Sequence, residues 1–368
     1  MLWHTDDLMN DTEYKMNGES EKKSRRFPAI PLTLSALTVG LTALSAFLFS
    51  AGLALTAIIV SAICAGVFST LLTSVRSMWC TAILPVSFAA AFFSGGIWCA
   101  AFASAFAAVA SVVMICIQKK TRSATAVNYS AAAVGVFVAV LTVVYIALSN
   151  GGLSLDLLKT EFDAFFADMS ETLTEALDES GYSGLLGNAL AAYQMTIPEL
   201  VTAIVSTIKY LSPSLLIASV WLYAFISVQF FKITVFILSL TLILPDPKWR
   251  YEPNVISARI YLVDYFIYLF ISLMTDGTNV VQIAVENLLY ILLFPMMAAG
   301  IASIAVSFRN PMLRGRSFFT LMILAAALIF IPTVFLFLLA MMGAFYVIFG
   351  YRRQKAKQDK SGNEGGGV

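Results

Sequence analysis

The chain has 368 residues, 59% of them hydrophobic and 12% charged, with a formal net charge of +1. Soluble domains carry about half apolar and a quarter charged residues, so this composition belongs to a multi-pass membrane protein, and its near-neutral charge excludes a nucleic-acid binder, which needs a clustered basic surface. The single histidine, His4, lies in a polar tail, while Cys64, Cys80, Cys99 and Cys116 sit inside apolar runs without metal-ligand spacing. No metal site, cofactor site or catalytic set is therefore expected, and no phosphate-binding glycine loop is present.

Residues 1–27 mix acids and bases without apolar periodicity and end in EKKSRR, which predicts a disordered cytoplasmic tail, with Met9 and Met16 as alternative starts. Residues 28–149 form a first membrane half of five short alanine-rich spans, near 30–49, 53–74, 78–95, 97–117 and 124–148. Each is long enough to cross about 30 Å of hydrocarbon at 1.5 Å per residue. The links between them are so short that neighbouring helices must be antiparallel. Small residues four apart let such helices approach closely where lipid supplies no hydrophobic drive.

Residues 150–198 break the composition. Leu155, Leu158, Phe162, Phe165, Met169, Leu173 and Leu177 step by three or four, and eight acidic residues fill the other faces against one lysine. This is an acidic amphipathic helix. Without basic residues it is a poor ligand for anionic lipid, so it is expected to pack on the protein as an outer cap. Residues 199–350 form a second membrane half, richer in Phe, Leu, Ile and Tyr. A short amphipathic helix that includes Lys209 precedes Ser212-Pro213, which opens a run of over thirty residues; apolar runs follow at 255–274, 280–308 and 317–349. The last is either one tilted helix or a hairpin folding near Pro332. Residues 351–368 form a basic, then glycine-rich, cytoplasmic tail. The chain thus reads as an all-α polytopic bundle of nine or ten spans. Lys and Arg cluster in alternate loops, which predicts a cytoplasmic N-terminus in a bacterial cell membrane.

Charged groups within a span cost about 2.5–3.5 kcal/mol each on insertion scales and usually face a bundle interior. Asp264 lies about 14 Å into its span. Lys232 reaches a similar level on the preceding run if that run stays helical to Pro245, so the two either form an ion pair or Lys232 snorkels to a boundary near Phe236. Gln229, one turn before Lys232, joins the same polar patch. Glu286 and Asn287 lie about 10 Å deep. Together these residues predict a cavity suited to a zwitterionic or polar solute or to proton coupling, with Pro295, Gly300 and Pro332 as places where a helix breaks. A membrane accessory or scaffold protein is the alternative.

The order of parts resembles the YybS-like family of bacterial multi-pass membrane proteins. The likeness is carried by ENLLYILLFPMMAAGIASI, through Asn287, Pro295 and Gly300, and by the closing GAFYVIFGYRR. The closing segment departs from the family in lacking acidic residues near Tyr346 and Gly350. The first half resembles the substrate-binding membrane subunits of energy-coupling-factor vitamin transporters. That likeness implies solute binding with separate ATPase partner subunits, and a partner contact at Ala36 and Gly40.

Overall fold

The computed structural model describes residues 29–74, 79–152, 154–179, 196–238, 240, 244, 251–274, 280–309 and 314–364. The N-terminal tail, the links at 75–78, 245–250, 275–279 and 310–313, and the glycine-rich end lie outside these, and with them EKKSRR, Arg76 and PDPKWR, on which part of the expected orientation rests. The described residues form eleven α-helices and no strand: α1 Ala29–Ser50, α2 Ala54–Ser74, α3 Trp79–Ala103, α4 Phe106–Gln118, α5 Ser123–Ser149, α6 Leu155–Glu179, α7 Ile197–Ile237, α8 Val255–Met274, α9 Val280–Arg309, α10 Arg314–Phe330 and α11 Pro332–Glu364. Among the described residues seven of them, α1, α2, α3, α5, α7, α8 and α9, are long and apolar enough to cross a membrane. The chain is an integral membrane protein built as an all-α helical bundle.

The chain divides into two compact units that do not follow chain order. The first gathers residues up to Thr121, Thr125–Val138 and Tyr223–Trp249; the second gathers Arg122–Ala124, Ala139–Leu222 and Arg250 onward.

In the first unit α2 is the most enclosed span, with Ser61, Cys64, Gly66, Phe68 and Leu71 among its buried residues. Contact there is made by small residues and hydroxyls. Ser45 Oγ donates to the Ala57 carbonyl across α1 and α2 at 2.9 Å, and the hydroxyls of Ser61 and Tyr223 lie 2.9 Å apart. A Cβ on Gly66 would strike the α7 backbone at Ser227 and Phe231. The expected break at Gly95-Gly96 falls on a kink within α3, where Gly96 has φ +82° and ψ 176°, a conformation essentially reserved for glycine. Gly95 beside it abuts the Ala46 backbone. The run read as a span at 97–117 is not one helix. Residues 97–103 finish α3, and a turn of i→i−3 bonds, such as Ala105 N–H to the Phe102 carbonyl at 3.1 Å, separates them from the 13-residue α4.

In the second unit Ala258 and Tyr261 of α8, Leu289, Leu293 and Met296 of α9, and Ala340 and Ala344 of α11 make the core. Two glycines set the α9–α11 spacing. A Cβ on Gly300 would meet the Leu339 carbonyl, and one on Gly343 the Met296 carbonyl and the Gly300 amide. The run at 317–349 is two helices, broken at Ile331, one residue before Pro332. α11 then carries the basic segment YRRQKAK as helix as far as Glu364.

The break expected at Pro213 is absent: α7 runs through it for 41 residues, about 62 Å, or twice the thickness of a hydrocarbon core. Part of α7 must project from the membrane, and its N-terminal turns are suited to do so. They open with a capping box in which Thr196 N–H and Oγ1 donate to Glu199 at 2.7 and 2.8 Å. The acidic helix α6 covers their apolar stripe, with Phe166, Met169, Leu173 and Leu177 against Ile197, Val201, Val205 and Ile208. The predicted cap is thus seated from Phe166 onward, whereas Leu155, Phe162 and Phe165 of the predicted stripe are 85%, 42% and 62% exposed. Lys209 Nζ lies 2.6 Å from Asp163 Oδ1 and 6.0 Å from the Phe166 ring centroid, tying the end of the cap to α7.

Gly343→Ala is expected to cost about 1–3 kcal/mol through forced separation of α9 and α11. Gly40→Ala, where a Cβ meets nothing within 4 Å, should leave stability unchanged; unfolding of the purified variants measures both. The Lys209 ammonium holds the Asp163 carboxyl below the usual carboxylate range, so this tie is complete above the ordinary value of about 3.9 and lost as pH falls through the depressed one. Hydrogen exchange in α6 should rise over that acid window, and Lys209→Gln should produce the same rise at neutral pH.

Candidate functional site

The predicted polar residues divide between the two units. Lys232 and Gln229 fall in the first, both half-buried. Asp264, Glu286 and Asn287 fall in the second. Lys232 and Asp264, for which the sequence allows either an ion pair or a snorkelling lysine, belong to different units, and Lys232 forms no part of the site described below.

Asp264 sits at the middle of α8, held there by the periodicity of its buried face: Ala258, Tyr261 and Asp264 step by three and are 0%, 0% and 5% exposed. The carboxylate oxygen Oδ2 is buried with no hydrogen-bond partner among the described residues, and the Tyr261 hydroxyl one turn earlier shares that condition. Asp264 lines a groove of about 280 Å³ together with Arg259, Ile260, Val263 and Ile267 of α8 and Leu288 of α9. Ile260, Val263 and Ile267 recur at positions i, i+3 and i+7 and are each over 40% exposed. They form apolar walls around a single buried acid. Arg259 is five positions before Asp264, outside the i+3 and i+4 spacing that marks neighbours on one helix, so only the groove shows the two together.

Glu286 is half-buried and accepts a hydrogen bond from Gln282 Nε2 at 3.2 Å. It has no cationic partner among the described residues and lies within electrostatic reach of Tyr268 and Tyr290. Those tyrosines and Tyr265 surround Phe337 with centroid distances of 6.5, 6.4 and 5.7 Å. Tyr261, Tyr265 and Tyr268 of α8 are thus packed against α9 and α11, whereas Phe266 and Phe270 are exposed.

Asn287 has a different occupation from the adjacent glutamate. Its Oδ1 accepts from the Ser214 N–H at 3.2 Å, and its Nδ2 donates to the Tyr210 carbonyl at 3.0 Å and to the Ile283 carbonyl at 2.9 Å. Tyr210 and Ser214 flank Pro213, which has no N–H to offer the Lys209 carbonyl. Ser212 Oγ donates to that carbonyl at 2.8 Å. An amide from α9 and a hydroxyl from α7 thus brace the turn that proline weakens, which is why the helix continues. Asn287 is a clip between helices, with its amide already used.

The other predicted positions are structural in their surroundings. Pro295 lies inside α9 without ending it, Gly300 is the close-approach point against Leu339, and Pro332 begins α11. Ala36 and Gly40 are exposed on α1, and a Cβ on Gly40 would meet open space. No group of three or more His, Cys, Asp or Glu residues able to hold a metal occurs among the described residues.

No family model, no curated protein and no solved structure matches the chain.

Asn287→Ala should destabilise the protein by roughly 1–3 kcal/mol for each backbone group left unpaired. Pro213→Ala in the same chain should recover part of the loss, because a restored N–H rebuilds the turn. A double-mutant cycle measured by unfolding reads this coupling; additive effects would separate the clip from the proline.

Proposed function

We propose that the protein binds, and in its cellular setting moves, a small polar solute through its second half. The observation that carries this reading is Asp264: a carboxylate 5% exposed at the middle of a membrane-crossing helix, lining a groove, with one oxygen buried and unpartnered among the described residues. An ion in hydrocarbon costs several kcal/mol unless something meets it, which favours a ligand at that carboxylate. Glu286, without a cationic partner among the described residues, supplies a second acidic position on the neighbouring helix. On this reading the protein is a YybS-like membrane protein of the bacterial cell membrane with its N-terminus in the cytoplasm. It works without chemistry of its own, and separate ATPase subunits power any uphill movement. The open face at Ala36 and Gly40 favours a membrane-protein partner there and equally supports the second reading, a scaffold that gathers other membrane proteins.

The test uses the full chain in lipid nanodiscs and a thermal-stability screen of charged and uncharged solutes. Asp264→Leu is expected to raise the stability of the unliganded protein by about 1–3 kcal/mol, since it removes a buried unsatisfied group, and to abolish stabilisation by solute; Glu286→Gln should weaken it. Stabilisation that survives both substitutions overturns the polar site. A protein that responds to no solute yet co-purifies with the same membrane proteins in every variant is a scaffold.

A further inference from the structure

The groove beside Asp264 has a charge order as well as a shape. Arg259 is four residues from the start of α8 and Asp264 is nine, so their backbones are about 7.5 Å apart along the axis, with the acid the deeper of the two. Between and beyond them Ile260, Val263, Ile267 and Leu288 offer only hydrocarbon. Neither Arg259 nor Asp264 has an ion-pair partner among the described residues.

We propose, building on the solute-binding reading above, that this groove takes a small zwitterion with an apolar body, of which the apolar amino acids are the simplest class. The ligand's ammonium meets the Asp264 carboxylate, its acidic group turns toward Arg259, and its side chain lies on Ile260, Val263, Ile267 and Leu288. Each competing ligand class fails on one feature. A metal ion needs several oxygen donors, and the groove supplies one carboxylate. A simple anion would face Asp264 at the buried end. A sugar needs many hydrogen-bonding partners and would meet aliphatic walls. An aminophospholipid carries both charges, but its ammonium lies outward of its phosphate, opposite to an acid set deeper than the arginine. The volume, about 280 Å³, sits at the foot of the range of about 300–1,000 Å³ that holds drug-sized ligands, which fits a molecule of amino-acid size.

The experiment measures binding of L-leucine, of 3-methylbutylamine, which keeps only the amine, and of 4-methylpentanoate, which keeps only the acid. The full chain is used in phosphatidylcholine nanodiscs, with valine, isoleucine, methionine and phenylalanine alongside. Leucine or another member of this set is expected to bind, with 4-methylpentanoate at least tenfold weaker. D264N should weaken both the amino acid and the amine by more than tenfold. R259Q should weaken the amino acid and leave the amine unchanged, a contrast that a folding defect would not produce. Two results overturn the proposal: no apolar amino acid binds, or binding is the same in D264N. If polyols or anions instead stabilise the protein in an Asp264-dependent way, the zwitterion is wrong and the solute-binding reading stands; if no solute of any class does, both fall.

Discussion

The fold depends on the need of every backbone amide and carbonyl in hydrocarbon for a partner. Proline in the middle of α7 breaks that condition, and the structure meets it from two sides, with Ser212 at the Lys209 carbonyl and Asn287 at Tyr210 and Ser214. Because Asn287 belongs to α9, satisfying α7 fixes the lateral position of α9 against it. The glycines of α9 and α11 then fix the next neighbour. Continuity of one helix therefore becomes position for three, and the face of α9 that carries Leu288 is set by this chain of contacts.

Packing follows the same economy of attraction. Lipid is as apolar as leucine, so van der Waals approach and hydrogen bonds, rather than burial, hold spans together. The first unit achieves approach with Gly66, Gly95 and buried alanines such as Ala46, Ala91, Ala100 and Ala103. The second mixes glycines with tyrosines and phenylalanine. Where α7 leaves the hydrocarbon, the rule changes: α6 brings phenylalanine, methionine and leucine to Val201 and Val205 and keeps its carboxylates outward, as a soluble helix would. The long helix thus lives in two solvents, and its partners differ accordingly.

How much of this was legible in the sequence depends on whether the partner of a residue was local. Apolar length located most of the long helices, and three-four periodicity located the cap, because both are properties of one helix. Gly95-Gly96 was legible as a break, but as a link between two spans rather than the kink within α3 that the structure has. The continuity of α7 was hidden, since a proline ends or kinks a helix unless a group distant in sequence repairs it, and Asn287 is 73 residues from Ser214. For Asn287 depth was legible and direction was not: the same residue at the same depth serves as ligand or as brace, and only the carbonyl it meets decides. Phe166 replaced Phe165 on the buried stripe because adjacent aromatics both fit a periodic pattern, and the choice between them is made by α7.

Asp264 stands apart from this economy. The buried Ser45, Ser61 and Tyr223 hydroxyls hold helices together, and removing one would leave its partner exposed. Asp264 Oδ2 has no hydrogen-bond partner among the described residues, so the fold gains nothing from its charge and would tolerate an aliphatic residue of similar size. Yet it sits on the face of α8 that also holds Ala258 and Tyr261, inside the best-packed part of the second unit. A carboxylate kept at a site where leucine would pack better is what the solute-binding reading proposed above accounts for, and the neighbouring arginine and aliphatic walls suit a ligand with both charges at one end and an apolar body at the other.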